Sequence, residues 1–291
     1  MTAIVETAWA KLNLALHITG QRGDGFHRLE SLVTFADFGD RLSLSPTASD
    51  SLALSGEFAG GMPGGDDNLA ARARDCLRHR AEQAGHRAPA VSIDLEKNLP
   101  AASGIGGGSA DAAACLRGLM RLWELPEELL DPVELARQLG ADVPMCLVSR
   151  PLVARGIGED LETLHSMPAL PVLVVNPMVP VSTPDVFARL ASKNNGPLAL
   201  QPLDGNVADL AELLRGLRND LEAPALELAP DIATVLSALD SRQPLLRRMS
   251  GSGATCFALF GSVEAARLAG ATLKDQYPHW WVRSGLTRTA A

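Results

Sequence analysis

The chain has 291 residues, enough for one large domain or, at about 150 residues each, for two. A composition of 46% hydrophobic and 21% charged residues is globular and excludes a disordered chain. With 26 basic against 34 acidic residues the net charge is −8, which argues against non-specific nucleic-acid binding. It leaves an anionic ligand open, because backbone N–H groups bind phosphate without help from net charge.

In chain order, residues 4–18 carry alternating apolar side chains (Leu12, Leu14, Leu16) and read as a strand. Residues 20–27 form a polar, glycine-containing turn, and residues 32–38 a second strand. Leu42, Leu44, Leu52 and Leu54 suggest a hairpin. Residues 68–84 place Leu69, Ala73, Cys76 and Leu77 on one helical face, with arginines opposite. Residues 91–95 alternate again. A glycine-rich segment follows, then a helix with Cys115, Leu116, Leu119, Leu122 and Trp123 at helical spacing. Residues 133–139 form a short helix ended by Gly140, and residues 172–175 a buried strand. Residues 192–205 are a polar linker. Beyond it, residues 207–218, 232–239 and 263–274 read as helices, residues 256–260 and 280–283 as strands, and residues 250–254 as a second glycine turn. The class is mixed α and β, with a boundary expected between 155 and 180 that separates 1–160 from 161–291.

Cys76, Cys115, Cys146 and Cys256 lie far apart with no Cys-x-x-Cys pair, and read as reduced thiols packed as small hydrophobes. The N-terminus has no basic and apolar leader pattern. The longest apolar stretch, residues 169–175, contains Pro171 and is far short of the roughly 20 residues of a membrane span. The expectation is a soluble cytoplasmic protein, monomer or homodimer, with a small-molecule substrate, no membrane and no nucleic-acid partner.

The most informative stretch is Pro100, Ala101, Ala102, Ser103, Gly104, Ile105, Gly106, Gly107, Gly108, Ser109 and Ala110. Four glycines let the backbone turn tightly, and Ser109 stands where a helix cap is expected. Free N–H groups at a helix N-terminus make an anion site, as a nucleotide phosphate needs. No Gly-Lys-Ser/Thr follows, so this is not a Walker A loop. Ser109 occupies the third glycine position of the dinucleotide fingerprint, so it is not that either. A tight turn that binds nothing is the competing reading for a lone glycine cluster.

Two further segments change the balance: Lys11-Leu12-Asn13-Leu14 followed by Gly23-Asp24-Gly25-Phe26-His27, and Leu139-Gly140-Ala141-Asp142-Val143-Pro144. With the glycine loop and Ser250-Gly-Ser-Gly-Ala-Thr255, these resemble the GHMP kinases in their characteristic order, and within that family the members acting on a cytidylated acceptor. The resemblance spans about residues 8–260. It implies an α+β, two-domain GHMP fold, with an N-terminal ATP-binding domain over 1–160, a C-terminal domain over 161–291, and the active site in the interdomain cleft. It implies phosphoryl transfer from ATP, accompanied by Mg²⁺, to an alcohol.

By the same resemblance Asp142 is the catalytic base and Lys11 its cationic partner. Alone, Asp142 reads as a capping aspartate and Lys11 as a strand-edge lysine facing water. Asn13 shares a strand face with Lys11 and is placed to hold the substrate. Phe26 and His27 fall where the family recognises cytosine, by stacking and by hydrogen bonding. The family usually has tyrosine where this chain has Phe26, which removes a phenolic hydroxyl. Thr183 and Phe187 match a substrate-side segment. Asn68 and Lys97 match adenosine-side contacts, although a helix cap and a solvated lysine also explain them. Metal ligands are not identified by the sequence. The alternatives are a homoserine- or mevalonate-type kinase of the same family, and a non-catalytic nucleotide-binding protein of this fold.

Overall fold

The computed structural model describes residues 3–60, 64–101 and 103–290. Alternation of apolar residues produces two long strands at the outset, β1 (Ile4–Gln21) and β2 (His27–Pro46). They are followed by β3 (Ser51–Ser55), α1 (Leu69–Gln83), β4 (Val91–Glu96), α2 (Gly107–Leu122), α3 (Pro132–Leu139) and α4 (Val143–Val148). The rest of the chain forms β5 (Leu152–Gly156), β6 (Asp160–Thr163), β7 (Pro171–Asn176), α5 (Thr183–Ala188), α6 (Val207–Arg215), α7 (Glu222–Leu228), α8 (Asp231–Asp240), β8 (Leu246–Met249), β9 (Cys256–Leu259), α9 (Val263–Gln276) and β10 (Trp281–Leu286). Among the described residues no helix is long and apolar enough to cross a membrane.

The chain forms two compact units. The first comprises Met1–Ala10, Phe38–Ala101 and Gly106–Ser149. Here β4 pairs antiparallel with the end of β2 (Leu42 opposite Leu95) and parallel with β3 (Leu54 opposite Leu95). The expected hairpin between residues 42–44 and 52–54 is therefore wrong. Val91, Ile93 and Leu95 of β4 are all fully buried, so β4 takes the inner place, and α1 makes the crossover that a parallel β3–β4 pair requires. Asn68 caps α1, its side chain accepting the Ala70 N–H at 2.9 Å. Helix α2 begins earlier than the sequence suggests. Gly106, in a left-handed conformation (φ 68°), is its N-cap, and Ser109 lies inside the first turn rather than at the cap.

The second unit comprises Lys11–Asp37, Ala102–Ile105 and Arg150–Ala291. Strand β5 pairs antiparallel with β2 (Leu32 opposite Val153) and with β6. A separate antiparallel sheet has the order β10-β7-β9-β8. Its core joins Leu173 and Val175 of β7 to Ile232, Val235 and Leu239 of α8 and Leu273 of α9. Every residue of β7 is buried, which explains its unbroken apolar run. Residues 192–205 carry no helix or strand, in keeping with their polar composition.

Candidate active site

The alternation of β1 has an unusual result. Leu12, Leu14, Leu16 and Ile18 are buried as expected, but so are Lys11, Asn13 and His17 on the other face. A solvent-facing Lys11 is excluded, since it is only 5% exposed. Buried polar groups need partners, and several of these are supplied by the two glycine segments. The Lys11 N–H donates to the Ile105 carbonyl at 3.0 Å. The Asn13 N–H donates to Ser250 Oγ at 3.1 Å, and Asn13 Nδ2 donates to Ser31 Oγ at 2.8 Å. Ser31 Oγ in turn donates to the Ala15 carbonyl, which fixes the Asn13 amide.

The second glycine turn packs main chain against main chain on the upstream part of the glycine loop. The Thr255 N–H donates to the Ser103 carbonyl at 3.2 Å, and Ser250 Oγ donates to the Gly104 carbonyl at 3.3 Å. Gly104 has φ +75°, and a Cβ built there would stand 2.7 Å from the carbonyl oxygens of both Ser250 and Gly253. Both the dihedral and the space demand glycine. The turn is itself pinned by Asn219, whose Nδ2 donates to the carbonyls of Met249 and Gly251, and by Asn176 Nδ2 on Thr255 Oγ1. Thr183 Oγ1 lies 2.7 Å from Ser252 Oγ. The second unit thus gathers Lys11, Asn13, Ser103–Ile105 and Thr183 around one turn.

Phe187 meets His27 instead, with ring centroids 4.9 Å apart and tilted by 33°. His27 Nε2 is buried with no protein partner among the described residues. Burial, then the Lys193 charge, holds the imidazole below its ordinary pKa, so the ring is neutral and can accept or donate. Phe26 is 60% exposed, so it is not a local core anchor.

In the first unit the glycine loop continues through Gly106, Gly107, Gly108, Ser109 and Ala110 into α2. A Cβ on Gly107 or Gly108 would meet nothing nearer than 3.9 Å and 4.0 Å respectively, so the fold itself does not require glycine at either position. Lys97 is not a solvated lysine. It is 1% exposed, and its Nζ donates to Asp40 Oδ2 and, at 2.5 Å, to Asp111 Oδ2. Asp40 Oδ1 also accepts the N–H groups of Asn98 and Leu99. Burial opposes the Lys97 charge, but the Asp111 and Asp40 carboxylates more than offset it, and its pKa rises. Burial pushes the Asp111 carboxyl well above the ordinary range, against the pull of Lys97 and with the push of Asp40. Asp142 is half-buried at the N-cap position of α4, where its side chain makes no cap hydrogen bond. Ala102 lies outside the described residues. Asp40, Asp111, Ser31 and Asn219 were not singled out from the sequence. A lone carboxylate among Ala110, Ala112, Ala113 and Ala114 was the available signal for Asp111.

The GHMP kinases N terminal domain matches residues 68–150, and the GHMP kinases C terminal domain matches residues 199–279. A 4-diphosphocytidyl-2-C-methyl-D-erythritol kinase of Rhizobium leguminosarum bv. trifolii is 55% identical over 285 residues, covering 97% of this chain and 94% of the relative. One from Agrobacterium fabrum is 50% identical over 294 residues, covering 99% and 97%. The crystal structure of a 4-(cytidine 5'-diphospho)-2C-methyl-D-erythritol kinase, 34% identical, superposes with a TM-score of 0.79 over 98% of this chain and 99% of that one. A homoserine kinase from Cytophaga hutchinsonii, at 20% identity and a TM-score of 0.71, shares the fold. The chain belongs to the 4-diphosphocytidyl-2-C-methyl-D-erythritol kinase family of the GHMP kinases, and is an ATP-dependent small-molecule kinase.

Proposed function

We propose that the protein transfers the γ-phosphoryl group of ATP to the 2-hydroxyl of 4-diphosphocytidyl-2-C-methyl-D-erythritol, a step of the non-mevalonate route to isoprenoid precursors. The observation that carries this reading is identity of 50–55% over nearly the full length to relatives of that name. The bareness of Gly107 and Gly108 supports it from the chain itself. Each glycine costs a helix about 1 kcal/mol relative to alanine, and no neighbouring atom demands it. Close approach of an anion to the N–H groups of the first turn is a reason to keep them bare.

In this reading residues 100–110 hold the triphosphate, with Asn68 and Lys97 on the ATP side. Asp142 accepts the proton of the acceptor hydroxyl. Lys11 keeps that carboxylate ionised and favours the alkoxide. Asn13 and Thr183 orient the acceptor. Phe26 and Phe187 offer aromatic faces to cytosine, and the buried His27 Nε2 offers its edge a hydrogen bond. Among the described residues no three His, Cys, Asp or Glu side chains are grouped as a metal cage. That suits Mg²⁺, which keeps waters and binds chiefly through phosphate oxygens. When bound with the nucleotide it neutralises charge on the β- and γ-phosphates. The Ser109 hydroxyl, in the first turn of α2, is the side chain proposed to hold it or a phosphate oxygen.

The test is direct. The protein is incubated with ATP and, separately, the cytidylated acceptor, homoserine or mevalonate, and ADP release is followed. ADP release with the cytidylated acceptor alone is expected. Turnover of homoserine or mevalonate without it reverses the substrate assignment, and no turnover with any acceptor favours the non-catalytic alternative.

A further inference from the structure

The ammonium of Lys97 sits between two carboxylates, one bonded to the chain that enters the glycine loop and one on the helix that leaves it. Asp40, fully buried on β2, takes the Lys97 ammonium on one oxygen and the N–H groups of Asn98 and Leu99 on the other, at 2.5 and 2.8 Å. These are the residues by which the chain leaves β4 toward the loop. Asp111, 2% exposed, lies in α2 just after the loop, and its Oδ2 is 2.5 Å from the same Nζ. One cation therefore ties the chain entering the loop to the helix leaving it. Nζ also lies 3.9 Å from where a Gly107 Cβ would stand, beneath the first turn of α2.

The arrangement has little slack. Buried charges stay together only if they compensate each other, and removing the Lys97 ammonium leaves the Asp40 carboxylate uncompensated. The Asp111 Oδ1 atom has no protein partner among the described residues, which a neutral carboxyl tolerates better than a carboxylate.

We propose that Lys97 is a positioning residue for ATP: shared by Asp40 and Asp111, it fixes the two ends of the glycine loop so that the N–H groups of the loop are preset for phosphate. This rests on the reading of residues 100–110 as the triphosphate site. It assigns to the Lys97 side chain an action through the loop rather than a touch on the nucleotide. Preset geometry matters, because a displacement of about 1 Å in a positioning group costs on the order of 10²-fold in rate.

The experiment compares Lys97→Met, Asp40→Asn and the charge-balanced double variant. Circular dichroism checks the fold. Amide hydrogen exchange of segment 97–112 is measured in nucleotide-free protein, together with KM for ATP and for the acceptor. Lys97→Met is expected to accelerate exchange in segment 97–112 about tenfold or more, while β7 and β9 exchange as before. It is expected to raise the ATP KM by about tenfold and leave the acceptor KM unchanged. Adding Asp40→Asn removes the carboxylate that Lys97→Met strands, keeps an amide oxygen for the Asn98 and Leu99 N–H groups, and is expected to recover most of both losses.

A raised ATP KM with unaltered exchange and no recovery in the double variant overturns the proposal and leaves Lys97 as a direct nucleotide contact. Accelerated exchange with an unchanged ATP KM sustains the clamp but overturns the assignment of the loop to ATP. Should Lys97→Met fail to fold, the double variant read against Asp40→Asn decides alone. An ATP KM within about fivefold of Asp40→Asn supports positioning, and one about tenfold or more above it refutes it.

Discussion

Residues 103–105 of the glycine loop are held by neutral groups, while residues 106–111 lead into a helix anchored by buried charge. Upstream, the clasp consists of carbonyls, N–H groups and the Ser250 hydroxyl, and its fit depends on the missing side chain of Gly104. Downstream, it consists of Lys97 between Asp40 and Asp111. A neutral main-chain clasp is insensitive to charge but fails as soon as a Cβ intrudes. A buried ionic clasp tolerates changes of shape at its rim but fails when its charges no longer balance. One loop thus has two separate vulnerabilities, and substitutions can address each in turn.

The largest effect should come from a change that touches neither clasp. Asp142→Asn should lower kcat by about 10²–10⁴-fold while ATP still binds, the range for loss of a general base. Steady-state kinetics with a separate ATP-binding measurement checks this, and an unchanged kcat removes Asp142 from the chemistry. Next comes the neutral clasp. Gly104→Ala forces a Cβ to 2.7 Å from two carbonyl oxygens at φ +75°. It should cost about 2 kcal/mol or more of stability, read as a lowered Tm. A Tm at the wild-type value means that the two glycine segments do not pack as described.

Gly107→Ala sharpens the contrast within the loop. Its Cβ has room, and alanine improves the helix, so stability should stay level or rise by about 0.5–1 kcal/mol. If the first turn of α2 holds a phosphate as proposed, the added methyl group crowds it, and the ATP KM should rise by about tenfold, equivalent to roughly 1.4 kcal/mol. A variant that is less stable yet binds ATP normally reverses the reading of this glycine.

The sequence exposed one clasp better than the other, for a physical reason. Glycines in a row, a cap asparagine before a periodic helix, and the apolar run of β7 are local signals; α1 and β7 fell where those signals put them, and α2 took its cap at Gly106, three residues before the expected Ser109. The pairing of β3 was misjudged because alternation reveals a strand but not its neighbour. Only the pairing of β4 with both neighbours decides that it lies between β2 and β3. Elements of four to seven residues, such as β6, β8, α4, α5 and α7, are too short for a period to register. Asp40 and Asp111 were missed because a lone carboxylate reads as solvated until the fold brings a lysine from 57 or 14 residues away in sequence. Asn219 was missed likewise, because its partners are main-chain carbonyls of a turn about 30 residues further along.

The smallest effect concerns acid, and it reaches the neutral clasp only at second hand. His17 is 2% exposed on β1. Its Nε2 accepts the Arg218 N–H at 3.3 Å, so the ring is neutral and Nδ1–H donates to the Gly196 carbonyl at 3.2 Å. Arg218 adjoins Asn219, whose amide pins the second glycine turn. Burial, then the Arg218 charge, lowers the His17 pKa from its ordinary 6.5, outweighing the Gly196 and Pro197 carbonyls and Asp220, which act the other way. An unfolded chain therefore takes up this proton at a higher pH than the folded one. The His17 contribution is complete above about pH 6.5 and is lost as pH falls below it, until the folded protein also protonates. Urea unfolding at pH 7.5 and pH 5.5 should show wild type losing about 1 kcal/mol more than His17→Gln, whose amide preserves a donor and an acceptor without a titrating proton. Equal losses in the two proteins would mean that the ring is not neutral when folded, and that acid reaches the neutral clasp by some other group.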